Sequence, residues 1–476
     1  VITISQSSPV PETAEEKRRA GLTRGVSLLT GDPKTAVWKL SGPMMAAMLL
    51  MSLYNLVNAI WVAGLGPDAL AAVGFMTPVF MIFIGLGNGL GAGVSSAIAR
   101  RIGAGNRTGA DNAAMNGLVI SLVTAVILTV PLIIFAEPIA ALFGAGAVAP
   151  LAAEYGRVIF TGSIFLLFTN IAYAILRGEG DTKRTMYAMA GSSVLNAVLD
   201  PILIYGAGLG VAGAALATVI SIASVSGVIL YWFFAKKDTY VALSIREFSL
   251  EKSTIADILR VGLPASMEYF LMSFLSIVIN IILVMVAGTD AVAVYTSGWR
   301  LVMFAVIPEL AISTTLVAII GAAFGSRNYG KLSTAFGYAV RLGLLIAVGM
   351  TVIIWLFAPQ IALLFTYTEA SASLAPGIAS FLRVIAILFL VIPLGMMPVS
   401  LFQGTGKGLT SLFLNILRNL AFVAVFVWLL AIVLGYGEIG VWYGIVIGNI
   451  LGGIVAFLWA RIYITRLVAA AAAAGS

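Results

Sequence analysis

Long apolar runs separated by short polar or glycine-containing breaks recur along almost the whole chain. A run of about 20 apolar residues is what an α-helix needs to cross a bilayer, whereas a barrel strand would show alternation over roughly ten residues. The pattern therefore predicts helices near 39–64, 69–98, 112–135, 152–176, 186–206 and 210–235 in the first half. In the second half it predicts 258–287, 291–322, 334–357, 374–402, 409–434 and 440–463. Short turns such as Gly66-Pro67-Asp68, Gly206-Ala207-Gly208 and Gly435-Tyr436-Gly437 alternate with longer basic loops. The predicted fold class is all-α integral membrane, with 12 transmembrane helices.

The basic residues fix the expected orientation. Lys and Arg cluster at the N-terminus, in the loops at 99–111, 177–185, 236–257, 323–333 and 403–408, and at the C-terminus. The opposite loops hold Asp68, Glu137, Asp290, Glu369 and Glu438 but no Lys or Arg. Positive-inside logic then puts both termini in the cytoplasm of a multi-pass protein of the cell membrane and requires an even number of spans. The net charge of +7 is read as this topology signal and not as a surface for nucleic acid.

Composition narrows the chemistry. Of 476 residues 61% are hydrophobic and 10% charged, far from the roughly 25% charged of a soluble domain. The chain has neither Cys nor His, so thiol nucleophiles, imidazole-based metal or haem sites and His-dependent triads are out of reach. No enzyme activity and no cofactor are expected. A membrane hydrolase would need paired acids, and the acids inside the spans lie on different helices.

The two halves repeat. Leu40-Ser41-Gly42-Pro43 matches Val261-Gly262-Leu263-Pro264, Gly66-Pro67-Asp68-Ala69 matches Gly288-Thr289-Asp290-Ala291, and Phe135-Ala136-Glu137-Pro138-Ile139 matches Phe357-Ala358-Pro359-Gln360-Ile361. Arg157-Val158-Ile159 recurs as Arg383-Val384-Ile385, and Arg177-Gly178-Glu179-Gly180 as Gln403-Gly404-Thr405-Gly406, all at offsets of 221 to 226. Two pseudo-symmetric six-helix bundles follow, related by an axis along the membrane normal, with a cleft between them that rocking would expose to each side in turn. The expected organisation is a polar cytoplasmic lead at 1–35, a first bundle at 36–235, a cytoplasmic linker at 236–257, a second bundle at 258–466 and an appended tail at 467–476.

Leu176-Arg177-Gly178-Glu179-Gly180-Asp181-Thr182-Lys183 resembles the loop signature between helices 4 and 5 of multidrug and toxic compound extrusion (MATE) transporters. Phe402-Gln403-Gly404-Thr405-Gly406-Lys407 with Leu417-Arg418-Asn419 resembles its second-half counterpart. Gly103-Ala104-Gly105-Asn106 and Gly325-Ser326-Arg327-Asn328 are similar to the family's loops after helices 2 and 8. Leu195-Asn196-Ala197-Val198-Leu199-Asp200-Pro201 looks like the helix 5 motif of the DinF-like branch, which includes archaeal members. The resemblance covers 38 to about 463. It implies secondary active export of amphipathic, often cationic, small molecules in exchange for H⁺ or Na⁺, by a chain expected to act as a monomer in the bilayer. Flipping of a lipid-linked precursor, an activity of the same superfamily architecture, is the alternative; it calls for cavity arginines, of which only Arg300 is expected centrally.

Acids inside spans are costly and are functional candidates. Asp200 is expected roughly 21 Å deep, with Asn196 one turn earlier on the same face, Pro201 freeing a backbone carbonyl, and Thr218 at matching height on the next helix. Carboxylate, amide, hydroxyl and carbonyl oxygens would suit Na⁺, and a buried carboxylate would equally suit H⁺ exchange. Asn58 stands where the resembled branch usually has an aspartate, so the resemblance implies one charge at this site in place of two; Tyr155 completes the candidate set. Glu268 and Arg300 are expected to pair near mid-membrane. Arg157, Arg383 and Glu154 are expected at the outer interface, and Glu309 beside Pro308 towards the inner edge, solvated or at a helix end. Phe75, Met76, Met267, Trp299, Met396 and Met397 are the candidate substrate contacts, because flexible and polarizable side chains suit promiscuous binding.

Overall fold

A computed structural model describes residues 23–244, 248–363 and 373–475. Ten of its helices are long and apolar enough to cross a membrane, and two bent pairs, each counted as one span, make twelve. In chain order these are α1 (Pro33–Ala63), α2 (Pro67–Gly103), α3 (Arg107–Ile134), α4 (Ala149–Thr161 and Ser163–Gly178), α5 (Thr182–Gly206) and α6 (Gly210–Lys236). The second half contributes α7 (Lys252–Ala287), α8 (Thr289–Gly325), α9 (Tyr329–Leu363), α10 (Ala375–Phe389 and Ile392–Gly404), α11 (Gly408–Val433) and α12 (Gly437–Ala473). Both α4 and α10 bend by 47°, at Gly162 and at Leu390-Val391, so the sequence repeat is also a repeat of helix breaks.

Several helices run beyond the predicted limits, because polar caps carry them past the apolar stretch. Asp32 accepts the N–H of Thr35 (2.8 Å), Asn106 that of Gly109 (2.8 Å), Asp181 that of Arg184 (3.1 Å) and Asn328 that of Lys331 (2.9 Å), each meeting one of the donors a helix start leaves free. The alanine-rich tail continues α12, as expected of the strongest helix former. Of the polar lead, residues Arg24–Thr30 form a short helix with Val26 and Leu29 buried, and Gly25 lies so close to the 179–181 backbone that a Cβ would come within 2.7 Å of Glu179 O.

Close packing in lipid favours small residues, since there is no hydrophobic drive between helices. The two halves meet through such residues. A Cβ on Gly89 of α2 would lie 2.3 Å from the Ser266 nitrogen of α7, one on Gly93 would lie 2.3 Å from Ile258 O, and one on Gly103 would lie 2.0 Å from Ala322 O of α8. The polar ties follow the same seam: Ser41 Oγ to Thr315 Oγ1 (2.8 Å), Ser96 Oγ donating to Gln403 O (2.6 Å), and Asp257 bridging Arg100 (2.7 Å) and Arg101 (3.0 Å). All of these lie towards the face that carries the start of α1, the end of α12 and the linker. Along that basic face the halves are joined.

The linker is anchored to the first half. Glu179 Oε2 accepts the N–H of Val241 (2.9 Å), Asp111 Oδ1 accepts that of Ala242 (2.8 Å), Arg107 donates to Tyr240 O (3.1 Å) and Arg184 pairs with Asp238 (2.6 Å). Glu179, from the loop signature, is almost wholly buried, and burial pushes its carboxyl up to about 8 even though the Val241 N–H favours the charged form.

Candidate functional site

The predicted members of the first-half site converge. Helix α5 starts at Thr182, so Asp200 lies about 18 residues along it, roughly 27 Å from the basic face and deeper than predicted. Its side chain has no solvent exposure. Asn58 Nδ2 on α1 donates to Asp200 Oδ2 over 2.9 Å. One turn before Asp200, Asn196 Nδ2 donates to Thr218 Oγ1 of α6 (3.2 Å) and to the hydroxyl of Tyr54, while Thr218 donates to Ala214 O (3.1 Å). Tyr155 of α4 lies within electrostatic reach of the carboxylate. Asp200 Oδ1 and Asn196 Oδ1 are both buried without a hydrogen-bond partner. Two buried oxygens without donors, on residues one turn apart along α5 and one of them a carboxylate's, have the chemistry to accept a proton or a small hard cation.

Two details differ from the expectation. Asn58 turns its N–H, and not its carbonyl oxygen, to Asp200, so it stabilises the carboxylate as a donor. Tyr54, absent from the predicted set, bridges α1 to Asn196; it sits one helical turn before Asn58, so the i,i+4 spacing on that face was the available signal.

The predicted Glu268–Arg300 pair does not form. Arg300 is exposed, with no ion pair among the described residues. Glu268 instead accepts from Ser411 Oγ of α11 (3.0 Å), with Gln403 Nε2 at 3.4 Å from both carboxylate oxygens and Asn415 and Arg418 facing it. Arg418 in turn donates to Asn415 Oδ1 (2.9 Å). Depth explains the miss. Counted from the short turn joining α7 to α8, Glu268 lies about 19 residues down one helix and Arg300 about 11 down the other, a mismatch of roughly 12 Å. Gln403 and Arg418 stand in the two second-half signature segments, and the structure shows what those segments surround.

Glu309 is also corrected. It is 3% exposed and neither solvated nor at a helix end, because α8 continues about four turns beyond it to Gly325. Arg157, Glu154 and Arg383 are exposed, and Arg157 lies 3.6 Å from Glu137.

Among the proposed substrate contacts, Met76 and Met397 are fully buried, Met76 in the core of its own half beside Gly156 and Met397 in the core where α1 packs against the second half. Adjacent residues on a helix point about 100° apart, so the pairs Phe75-Met76 and Met396-Met397 could not both face one cleft. Met267 is 53% exposed, and Phe75, Trp299 and Met396 are partly buried. Where α2 and α7 cross, Tyr269 faces Asn88, and Arg177 faces Tyr173 and Tyr269 without a carboxylate in ion-pair range among the described residues. Among those residues no group of three or more Asp, Glu, His or Cys side chains converges as a metal site.

Comparison with known proteins agrees with this architecture. The MatE family model matches residues 43–202 and 264–429, one stretch in each half. The multidrug export protein MepA of Staphylococcus aureus is 29% identical over 432 residues, covering 89% of this chain and 92% of MepA. Solved structures include an outward-facing multidrug resistance MATE family transporter of the MOP superfamily, at 46% identity and TM-score 0.91. A MOP superfamily transporter from Pyrococcus furiosus, described with a binding pocket of reversed polarity that suggests a different function, has 45% identity and TM-score 0.90. Each match covers 94% of this chain and 99% of the other. With two six-helix bundles, a helix break repeated in each half and a family match in both, the chain belongs to the MatE family of multidrug efflux transporters, which are membrane transporters and not enzymes.

Proposed function

We propose that the protein is a secondary antiporter that exports amphipathic, often cationic, small molecules in exchange for H⁺ or Na⁺, with Asp200 as the coupling carboxylate. The observation that carries this reading is the sealed carboxyl with one oxygen held by Asn58 and the other, like Asn196 Oδ1 one turn away, left without a donor. A coupling ion taken up there replaces the missing hydrogen-bond partners and neutralises the charge, which lets α1, α5 and α6 close over it. The joined seam along the basic face corresponds to a state open to the other side. With the basic face in the cytoplasm of a cell-membrane protein, that state takes up the ion from outside while substrate leaves. Parting of the seam at Ser96, Gln403 and Asp257 then exposes the cleft to the cytoplasm. The two halves move as the units 36–235 and 258–466, and one chain suffices for the cycle.

Efflux by purified protein in proteoliposomes, under imposed pH and Na⁺ gradients separately, tests the reading. The wild type should respond to at least one gradient, and Asp200→Asn should lose gradient-driven efflux while still binding substrate. Wild-type rates from Asp200→Asn under both gradients would sink it. Cysteines introduced at positions 107, 183 and 331 should label from the cytoplasm and those at 68, 290 and 438 from outside; the reverse would overturn the orientation.

The second reading, flipping of a lipid-linked precursor, is favoured by one observation: Arg177, beside the crossing of α2 and α7, has no carboxylate in ion-pair range among the described residues, and a guanidinium suits a phosphate. Competition between a cationic dye and a long-chain alkyl phosphate for the purified protein separates the two.

A further inference from the structure

Glu309 has no role in the site described above, yet its surroundings are those of a group built to hold a proton. Both carboxyl oxygens are buried and neither has a hydrogen-bond partner. On α9 it faces Gly343, where a Cβ would lie 2.6 Å from Oε2; the same Cβ would lie 3.0 Å from Pro393 of α10. From these packed helices no titratable or charged side chain acts on it. A bare carboxylate in such an enclosure would cost several kcal/mol, a cost that a proton on either oxygen removes.

The fold does not require an acid here. At the offset of 222 that relates α2 to α8, the first-half counterpart of Glu309 is Gly87, packed against the neutral side chain of Asn170. The carboxyl is therefore a feature of the second half alone. Its depth matches that of the first-half acid: Glu309 is about 16 residues from the basic-face end of α8, or roughly 24 Å, against roughly 27 Å for Asp200.

A line of buried polar groups leads from it to the seam. One turn towards the basic face, Ser313 hydrogen-bonds Ser400 of α10 (2.6 Å). One turn further along α10, Gln403 O accepts from Ser96 Oγ, which also accepts from Arg100 (3.2 Å). This is where the halves must part for the basic face to open. Pro308 on its own helix and the 47° break of α10 just before Pro393 put interrupted backbone beside the carboxyl, where a small rearrangement would admit water.

We propose that Glu309 is a proton-carrying site housed in the second half, which delivers one proton per transport cycle alongside the coupling ion at Asp200. The proton is taken up at a Glu309 oxygen when the outer side is open. It leaves to water along Ser313 and Ser400 when the seam parts, and the carboxylate stays behind until the next uptake. The use of this proton in transport rests on the antiport reading; its binding at Glu309 does not.

Two measurements on the full chain in lipid test this. Infrared difference spectra between acid and alkaline pH, taken on the wild type, Glu309→Gln and Asp200→Asn, report the C=O stretch of protonated carboxyls. A band that is lost on ionisation in the wild type and in Asp200→Asn, but absent from Glu309→Gln, is the expected result. A wild-type spectrum unchanged by Glu309→Gln, or a Glu309 band that never ionises over that range, overturns the proposal. In proteoliposomes the proton-to-substrate ratio should fall by one in Glu309→Gln and keep the wild-type value in Glu309→Asp, which guards against loss of fold; an unchanged ratio in Glu309→Gln also overturns it. Failure of Asp200→Asn to lose coupling would sink the first-half reading while leaving the spectral result for Glu309 intact.

Discussion

The amide of Asn58 donates to Asp200 Oδ2 over 2.9 Å and so joins α1 to α5 through the one carboxylate of the first-half site. The bond needs a carboxylate or carbonyl oxygen as acceptor and cannot exchange a proton itself. Of the pair, only Asp200 has a titratable side chain, so in the proposed cycle it is the member that takes up the ion.

Asn58→Asp should add one proton to the transport cycle. Two carboxyls at hydrogen-bond distance cannot both ionise, so the pair would hold a proton in the range where Asp200 alone releases it. The proton-to-substrate ratio in proteoliposomes should rise by one over the wild type. An unchanged ratio would show that the two side chains do not share a proton.

Glu268 should couple energetically to Arg418 and not to Arg300. In a double-mutant cycle with Glu268→Gln, the Arg418→Gln change should show an interaction of roughly 0.5–3 kcal/mol, as expected for groups in one polar network, and Arg300→Gln should be additive. Thermal unfolding of the four proteins of each cycle measures it, and a coupling confined to Arg300 would reverse the assignment.

Docking of the linker against Glu179 should weaken as the pH rises. The carboxyl is pushed up to about 8 by burial against an ordinary value of 4.5, so the folded state holds the proton more tightly than the unfolded state. The Glu179 contribution is complete below about pH 4.5 and is lost as the pH passes through about 8. Between pH 5 and 9 the wild type should lose more thermal stability than Glu179→Gln, whose neutral side chain keeps the shape without the titration. Parallel pH profiles would remove Glu179 as the cause.

Gly103→Ala should hold the basic face open. Its Cβ would stand 2.0 Å from Ala322 O, and backbone atoms cannot yield as a side chain would. Overpacking of about 1–3 kcal/mol shifts a two-state equilibrium by roughly fivefold to a hundredfold. A cysteine in place of Ser96, wholly buried in the seam, should then react faster with a soluble thiol reagent applied from the basic face. No gain in reactivity over the Ser96→Cys parent would count against the seam as the closing surface.

The sequence by itself determined the class, the number of spans, the duplication and the first-half site. Each of these is a local property: apolar runs sized to the bilayer, basic loops on alternate breaks, repeats at a near-constant offset, and Asn196 and Asp200 one turn apart on one face. Thr218 could be matched to Asp200 because a short turn fixes the relative heights of α5 and α6, whereas Asn58 came from the resemblance alone. The tertiary structure alone decided the rest. Glu268 went to Ser411, Gln403 and Arg418 because helix lengths beyond the lipid boundary set which side chains share a level. Met76 and Met397 turned into packed cores because rotation about a helix axis is fixed by packing, which a uniformly apolar sequence does not encode. Glu309 became a sealed, unpartnered carboxyl because Gly343 of α9 and Pro393 of α10 close over it, and no periodicity on α8 could announce that enclosure.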